Sequence, residues 1–99
     1  MQTIENIFEL SPDEIAYRIS ALSDSQREIL SHIVQGKFDE EVCKLLSMGR
    51  GTLNYRIFSA IDRVGAKRRS QLVALYAIWK YANDNRYSVF VVGAQNDTS

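Results

Sequence analysis

Three glycine-bearing breaks, at Gly36, at Gly49-Arg50-Gly51 and at Gly65, divide the middle of this 99-residue chain into short stretches whose apolar residues recur every three or four positions. That spacing places apolar side chains on one face of a helix, and a glycine accepts the left-handed backbone that stops one. Before Gly36, Ile29, Leu30, Ile33 and Val34 form such a stripe, opened by Ser23 and Gln26 at capping-box spacing. Between the first two breaks a helix is expected from about Asp39, burying Val42, Cys43 and Leu45 or Leu46. From Arg50 to Val64 the stripe is Leu53, Ile57, Ala60, Ile61 and Val64, with Asn54, Arg56, Ser59 and Arg63 on other faces.

Both flanks extend the pattern. Ser11-Pro12-Asp13-Glu14 carries a capping serine, a proline at the first helical position and a glutamate, and Ile15, Ile19 and Leu22 follow at helical spacing. After Gly65, Ser70-Gln71-Leu72 opens a helix whose Leu72, Val73, Leu75, Tyr76, Ile78 and Trp79 exceed what a single core-facing stripe requires. Asn83-Asp84-Asn85 reads as a turn, residues 87–92 have strand composition, and residues 95–99 read as disordered. With 45% apolar residues the chain can bury one small core. The expected fold is all-α: an extension with a short helix over residues 1–21, a tetrahelical helix-turn-helix domain over 22–82, and a tail over 83–99.

Formal charge is zero overall, but its distribution is uneven. Six acids face Arg18 and Arg27 in residues 1–30, whereas in residues 49–72 Arg50, Arg56, Arg63, Lys67, Arg68 and Arg69 face only Asp62. A surplus of cations on one segment is what phosphate contact requires. One cysteine forms no internal disulfide, and no apolar run approaches the ~18 residues of a membrane span. The expected location is a reducing cytoplasm, with no membrane association. His32 has no cysteine or acid at ligand spacing, no nucleophile and base are paired, and Gly49-Arg50-Gly51 lacks the lysine of a phosphate-binding loop. No enzyme, catalytic residue, metal, cofactor or small-molecule ligand is expected. Cys43, on an inward face, reads as a small hydrophobe.

The ungapped run Gly36-Lys37-Phe38-Asp39-Glu40-Glu41-Val42, Leu46, Gly51-Thr52-Leu53, Ile61-Asp62-Arg63-Val64-Gly65-Ala66-Lys67 and Arg69-Ser70-Gln71-Leu72 resembles the C-terminal DNA-binding domain of LuxR/NarL/GerE-type transcription regulators. The resemblance implies that the helix from Arg50 to Val64 enters the major groove of duplex DNA. Family members present a valine, a lysine and, two positions on, often a histidine where this chain has Leu53, Asn54 and Arg56. Leucine offers apolar contact to a thymine methyl, asparagine pairs with adenine and arginine with guanine. Arg50 is placed with this reading set, and Thr52, Tyr55, Ser59, Arg63 and Lys67 are the expected phosphate or sugar contacts.

The same resemblance implies a homodimer on DNA through the last helix, with Leu72, Leu75, Tyr76 and Trp79 as contacts. Core packing of those residues against the N-terminal helix, with Ile7, Phe8 and Ile15 covering them, is the competing expectation. The family has serine or threonine at Phe38, so Asp39 is expected to cap in its place and Phe38 to pack on the core. Glu28 and Arg69 match family charges and are expected to pair. Family regulators carry a sensor domain ahead of this one, longer than the residues preceding Leu22, and none is expected here. Two functions stay open: a stand-alone transcription regulator that binds DNA as a dimer, or an interaction protein that pairs with a full-length transcription regulator and blocks or modifies it. Region four of sigma factors shares the helix-turn-helix but matches residues 65–72 less well.

Overall fold

A computed structural model describes residues 1–82, and these form a 3-10 turn, Ile7–Glu9, followed by α1 (Pro12–Ser20), α2 (Asp24–Ile33), α3 (Asp39–Leu45), α4 (Arg50–Val64) and α5 (Arg69–Ala82). Among the described residues there is no strand, so the all-helical expectation holds. Residues 83–85, 87–92 and 95–99, read above as turn, strand and tail, lie outside the described residues.

The helix starts follow the capping chemistry. Ser11 Oγ accepts from the Glu14 N–H at 3.1 Å with Pro12 at the first position of α1. Ser23 and Gln26 complete a reciprocal box at α2, with the Ser23 N–H donating to Gln26 Oε1 at 2.9 Å and the Gln26 N–H to Ser23 Oγ at 3.2 Å. Each satisfies helix-end donors that would otherwise face water or the core unpaired. Gly36 (φ 93°) and Gly65 (φ 76°) sit in the left-handed region, as the stops after α2 and α4 require.

Two local expectations fail at α3. Phe38, not Asp39, is the N-cap; its N–H donates to Glu41 Oε1 at 2.9 Å, but a phenyl ring has no acceptor to return. Phe38 also remains 77% exposed and does not pack on the core. Asp39 is the first helical residue, and its carboxylate is drawn to two arginines instead of back to the helix end.

The core is one cluster to which every helix contributes: Ile15 and Ile19 from α1, Ile29 and Leu30 from α2, Val42 from α3, Leu53, Ile57, Ala60 and Val64 from α4, and Leu72, Leu75 and Tyr76 from α5. Ile4, from the segment ahead of α1, joins them. The extension therefore shares the core of residues 22–82. Its anchor is Arg18, 5% exposed, whose guanidinium donates to the Val64 carbonyl at 2.6 Å, the Gln2 carbonyl at 2.8 Å and Glu14 Oε1 at 2.9 Å. A cation at the carbonyl end of α4 satisfies an orphan acceptor and complements the helix dipole. The Ile4 N–H donates to the Gly65 carbonyl at 2.8 Å, completing a clasp of residues 2–4 over the end of α4. No described helix is long and apolar enough to cross a membrane.

Candidate nucleic-acid interface

The chain enters α4 through Ser47, a non-glycine residue at φ 53°, and Gly49, the N-cap. The Met48 N–H bonds the Cys43 carbonyl at 3.0 Å, so the turn is fixed to α3. Glycine suits the extended N-cap geometry but supplies no side-chain acceptor. A Cβ added at Gly49 or at Gly51 would meet nothing within 4 Å, which leaves the first turn of α4 sterically open.

Along α4, Thr52, Asn54, Tyr55 and Arg63 are exposed, Arg56 and Ser59 are half-buried, and Leu53 is completely buried. The last of these corrects the expectation of a thymine contact by Leu53. Its position belongs to the apolar stripe with Ile57, Ala60 and Val64, and a side chain with no accessible surface cannot reach a base. The outward apex is aromatic: Tyr55 and Phe58, three residues apart and so adjacent on one face, are 74% and 75% exposed. Helical spacing away from the core stripe carries the signal for Phe58, although attention to charge and amide groups overlooks it.

The cations around α4 are held in three different ways. Arg50 Nη2 lies 3.2 Å from Asp39 Oδ2, and Arg69 grips the same carboxylate with bonds of 2.6 and 3.0 Å. The hydrogen bond from Arg69, with the charges of both arginines, holds the Asp39 carboxyl below its ordinary range, and Asp39 in turn raises the Arg69 guanidinium. The expected pairing of Arg69 with Glu28 is thereby corrected: Arg69 pairs bidentately with Asp39, and Glu28 lies exposed on α2. Lys67 Nζ meets Glu5 Oε2 at 2.6 Å in an exposed pair. Arg63 reaches the Ala21 carbonyl only at 3.5 Å. Arg56 is tied to α2, its Nη1 donating to Ser25 Oγ at 2.8 Å and its carbonyl accepting from Gln26 Nε2 at 3.4 Å.

The expected dimer face is also corrected. Leu72 and Leu75 have no exposed surface and Tyr76 is 3% exposed, because α1 and α4 both pack along α5 and cover its apolar residues. Trp79 is half-buried, its ring tilted on Tyr76 at 5.6 Å between centroids and overlaid by Arg27 Cζ at 5.8 Å. Burial raises the Tyr76 hydroxyl above its ordinary range, with the Arg27 charge opposing. Ile15 does supply part of the cover, Ile7 flanks the core, and Phe8, 83% exposed, does not take part. Cys43 packs half-buried against the core, as a small hydrophobe would. His32 faces Lys37 across 2.8 Å from Nδ1 to Nζ.

In comparisons with known proteins, no family model, no curated protein and no solved structure matches this chain.

Proposed function

We propose that this chain binds duplex DNA through a helix-turn-helix made of α3, the turn 46–49 and α4, and acts as a small transcription regulator in the cytoplasm. The observation that carries the reading is the open N-terminal half of α4. Thr52, Asn54 and Tyr55 are exposed there, no side chain crowds Gly49 or Gly51, and the cationic surplus of residues 49–72 lies on the same helix and its C-terminal flank. A major-groove helix needs hydrogen-bonding side chains in its first half and basic groups at its edges. The resemblance to LuxR-type domains supports the assignment on its residues alone, and Leu53 is withdrawn from the reading set. The homodimer is not carried over through Leu72, Leu75 and Tyr76, since those residues are core.

Anisotropy titration of a random-sequence duplex at rising salt tests the proposal. The affinity of the wild-type chain is expected to fall steeply with salt, and Asn54→Ala with Arg56→Ala to weaken binding of a duplex that the wild-type chain selects from the pool at least about tenfold. Salt-independent binding, or a double variant indistinguishable from wild type, places the site elsewhere.

One observation favours the other reading, an interaction protein that pairs with a transcription regulator: Tyr55 and Phe58 stand exposed together at the outward apex of α4. Exposed aromatics of this kind anchor protein interfaces. Loss of duplex binding on Arg63→Ala with Lys67→Ala, but not on Phe58→Ala, separates a phosphate surface from a protein-docking one.

A further inference from the structure

We infer that Ser25, on α2, is the positioning residue that aims Arg56 for base recognition. The inference rests on the proposed DNA reading and adds to it a specificity determinant outside the recognition helix. Four observations converge. Ser25 Oγ accepts from Arg56 Nη1 at 2.8 Å across 31 positions of sequence. Ser25 and Arg56 are both half-buried, so the bond is partly sheltered from competing water. The next residue, Gln26, is 5% exposed and reaches the Arg56 carbonyl at 3.4 Å, so one turn of α2 contacts both backbone and side chain of Arg56. That turn is itself fixed by the reciprocal bonds between Ser23 and Gln26.

The chemistry of the partner separates Arg56 from its neighbours. Arg50 and Lys67 are ordered by carboxylates, Asp39 and Glu5, which orient a cation but also neutralise it. A serine hydroxyl orients without neutralising. Guanidinium carries five N–H donors in one plane, and one bond to Ser25 restrains the position of that fork while leaving four donors and the full charge. Recognition of guanine uses two parallel donors of such a fork, and its selectivity depends on the plane being set before the base arrives. Ser25 is the second residue of α2, and the capping hydroxyl belongs to Ser23, so replacing Ser25 leaves the helix start intact.

The test begins with duplexes selected by the wild-type chain from a random pool, then compares affinity for a selected duplex and for the unselected pool. Ser25→Thr keeps the hydroxyl, Ser25→Val keeps the shape of threonine without it, and Ser25→Ala removes both. The alanine and valine variants are expected to lose about tenfold on the selected duplex and less than about twofold on the pool, the size of effect one bidentate base contact supplies. Their salt dependence should match wild type because no charge is lost. Ser25→Thr should restore discrimination, and Arg56→Ala combined with Ser25→Ala should lose no more than Arg56→Ala alone. If wild type selects a sequence and Ser25→Val discriminates as well as Ser25→Thr, or loses affinity equally for both duplexes, this inference is overturned while the DNA reading stands. A wild-type chain that binds no duplex overturns both.

Discussion

The two ends of α4 are built on opposite principles. At its C-terminus, Gly65 lies under the chain itself: a Cβ there would stand 2.6 Å from the Gln2 carbonyl oxygen and 2.7 Å from Arg18 Nη1. The terminal carbonyl of Val64 is gripped by a buried guanidinium, and Ile4 closes over the whole. At its N-terminus, two glycines face open space, the N-cap supplies no side-chain bond, and exposed polar side chains follow. A helix anchored at one end and open at the other holds its free end steady for a ligand while leaving that end accessible. On the proposed reading, stability and binding fall to different halves of one element, and substitutions at the two ends should have opposite consequences.

The largest expected effect tests that contrast with a single residue change made twice. Gly65→Ala places a Cβ against backbone at a left-handed φ of 76°. Backbone strain and overpacking, each about 1–3 kcal/mol, add here, so a loss of about 3 kcal/mol is expected. That is a large part of the ~5–15 kcal/mol usual for a domain. Gly51→Ala, in the first turn of α4 with no obstacle, should instead gain about 0.5 kcal/mol from reduced backbone entropy of the unfolded chain. Urea denaturation of both variants reads the difference directly. Equal effects at the two positions would remove the distinction between a clamped and an open end.

Asp39 supplies a smaller effect and sharpens the comparison at the open end, where Arg50 and Arg69 converge on it. Its folded carboxyl lies below the ordinary value, so it contributes stability that is fully present above the unfolded value of about 3.9 and is lost as pH falls through the folded one. Asp39→Asn is therefore expected to flatten the decline in stability between about pH 5 and pH 3, with a cost near neutrality of about 1 kcal/mol or less because Arg50 is exposed and Arg69 only half-buried. The same change releases Arg50, and affinity for random duplex should rise by a few-fold. An acid limb identical to that of wild type would show that the arginines are ordered by something other than this carboxylate.

Much of this architecture was legible in the residues, for identifiable reasons. Caps at Ser11 and Ser23 and stops at Gly36 and Gly65 are local chemistry, so the helix boundaries followed from sequence to within a residue or two. Long-range choices were not legible. Arg18 looks from sequence like one more charge on a helix, and only the three-dimensional approach of residues 2 and 64 makes it an anchor. Glu28 is the partner that the sequence suggests for Arg69, and only the three-dimensional approach of Asp39 to Arg69 overturns it. For α5, periodicity correctly signalled surplus apolar surface but could not say whether α1 or a second chain covers it. Leu53 satisfied two patterns at once, the apolar stripe and the family's reading position, and burial decides between them.

The smallest effect concerns the helix that precedes the open end. Phe38 caps α3 without an acceptor and leaves its ring in water, an arrangement that stabilises neither the helix nor the core. Glu41 already bonds the Phe38 N–H, so half of a capping box is in place. Serine at position 38 would add the missing half by accepting from the Glu41 N–H, as Ser23 does from Gln26. Phe38→Ser is expected to raise stability by about 0.5–1 kcal/mol, measured by urea denaturation, with no cavity created because the ring is exposed. Three carboxylates, Asp39, Glu40 and Glu41, already sit in that first turn, so the neutral hydroxyl should outperform aspartate at the same place. If Phe38→Ser destabilises instead, the ring makes contacts that its exposure does not suggest, and a surface occupied in solution becomes the next thing to look for beside Arg50 and Arg69.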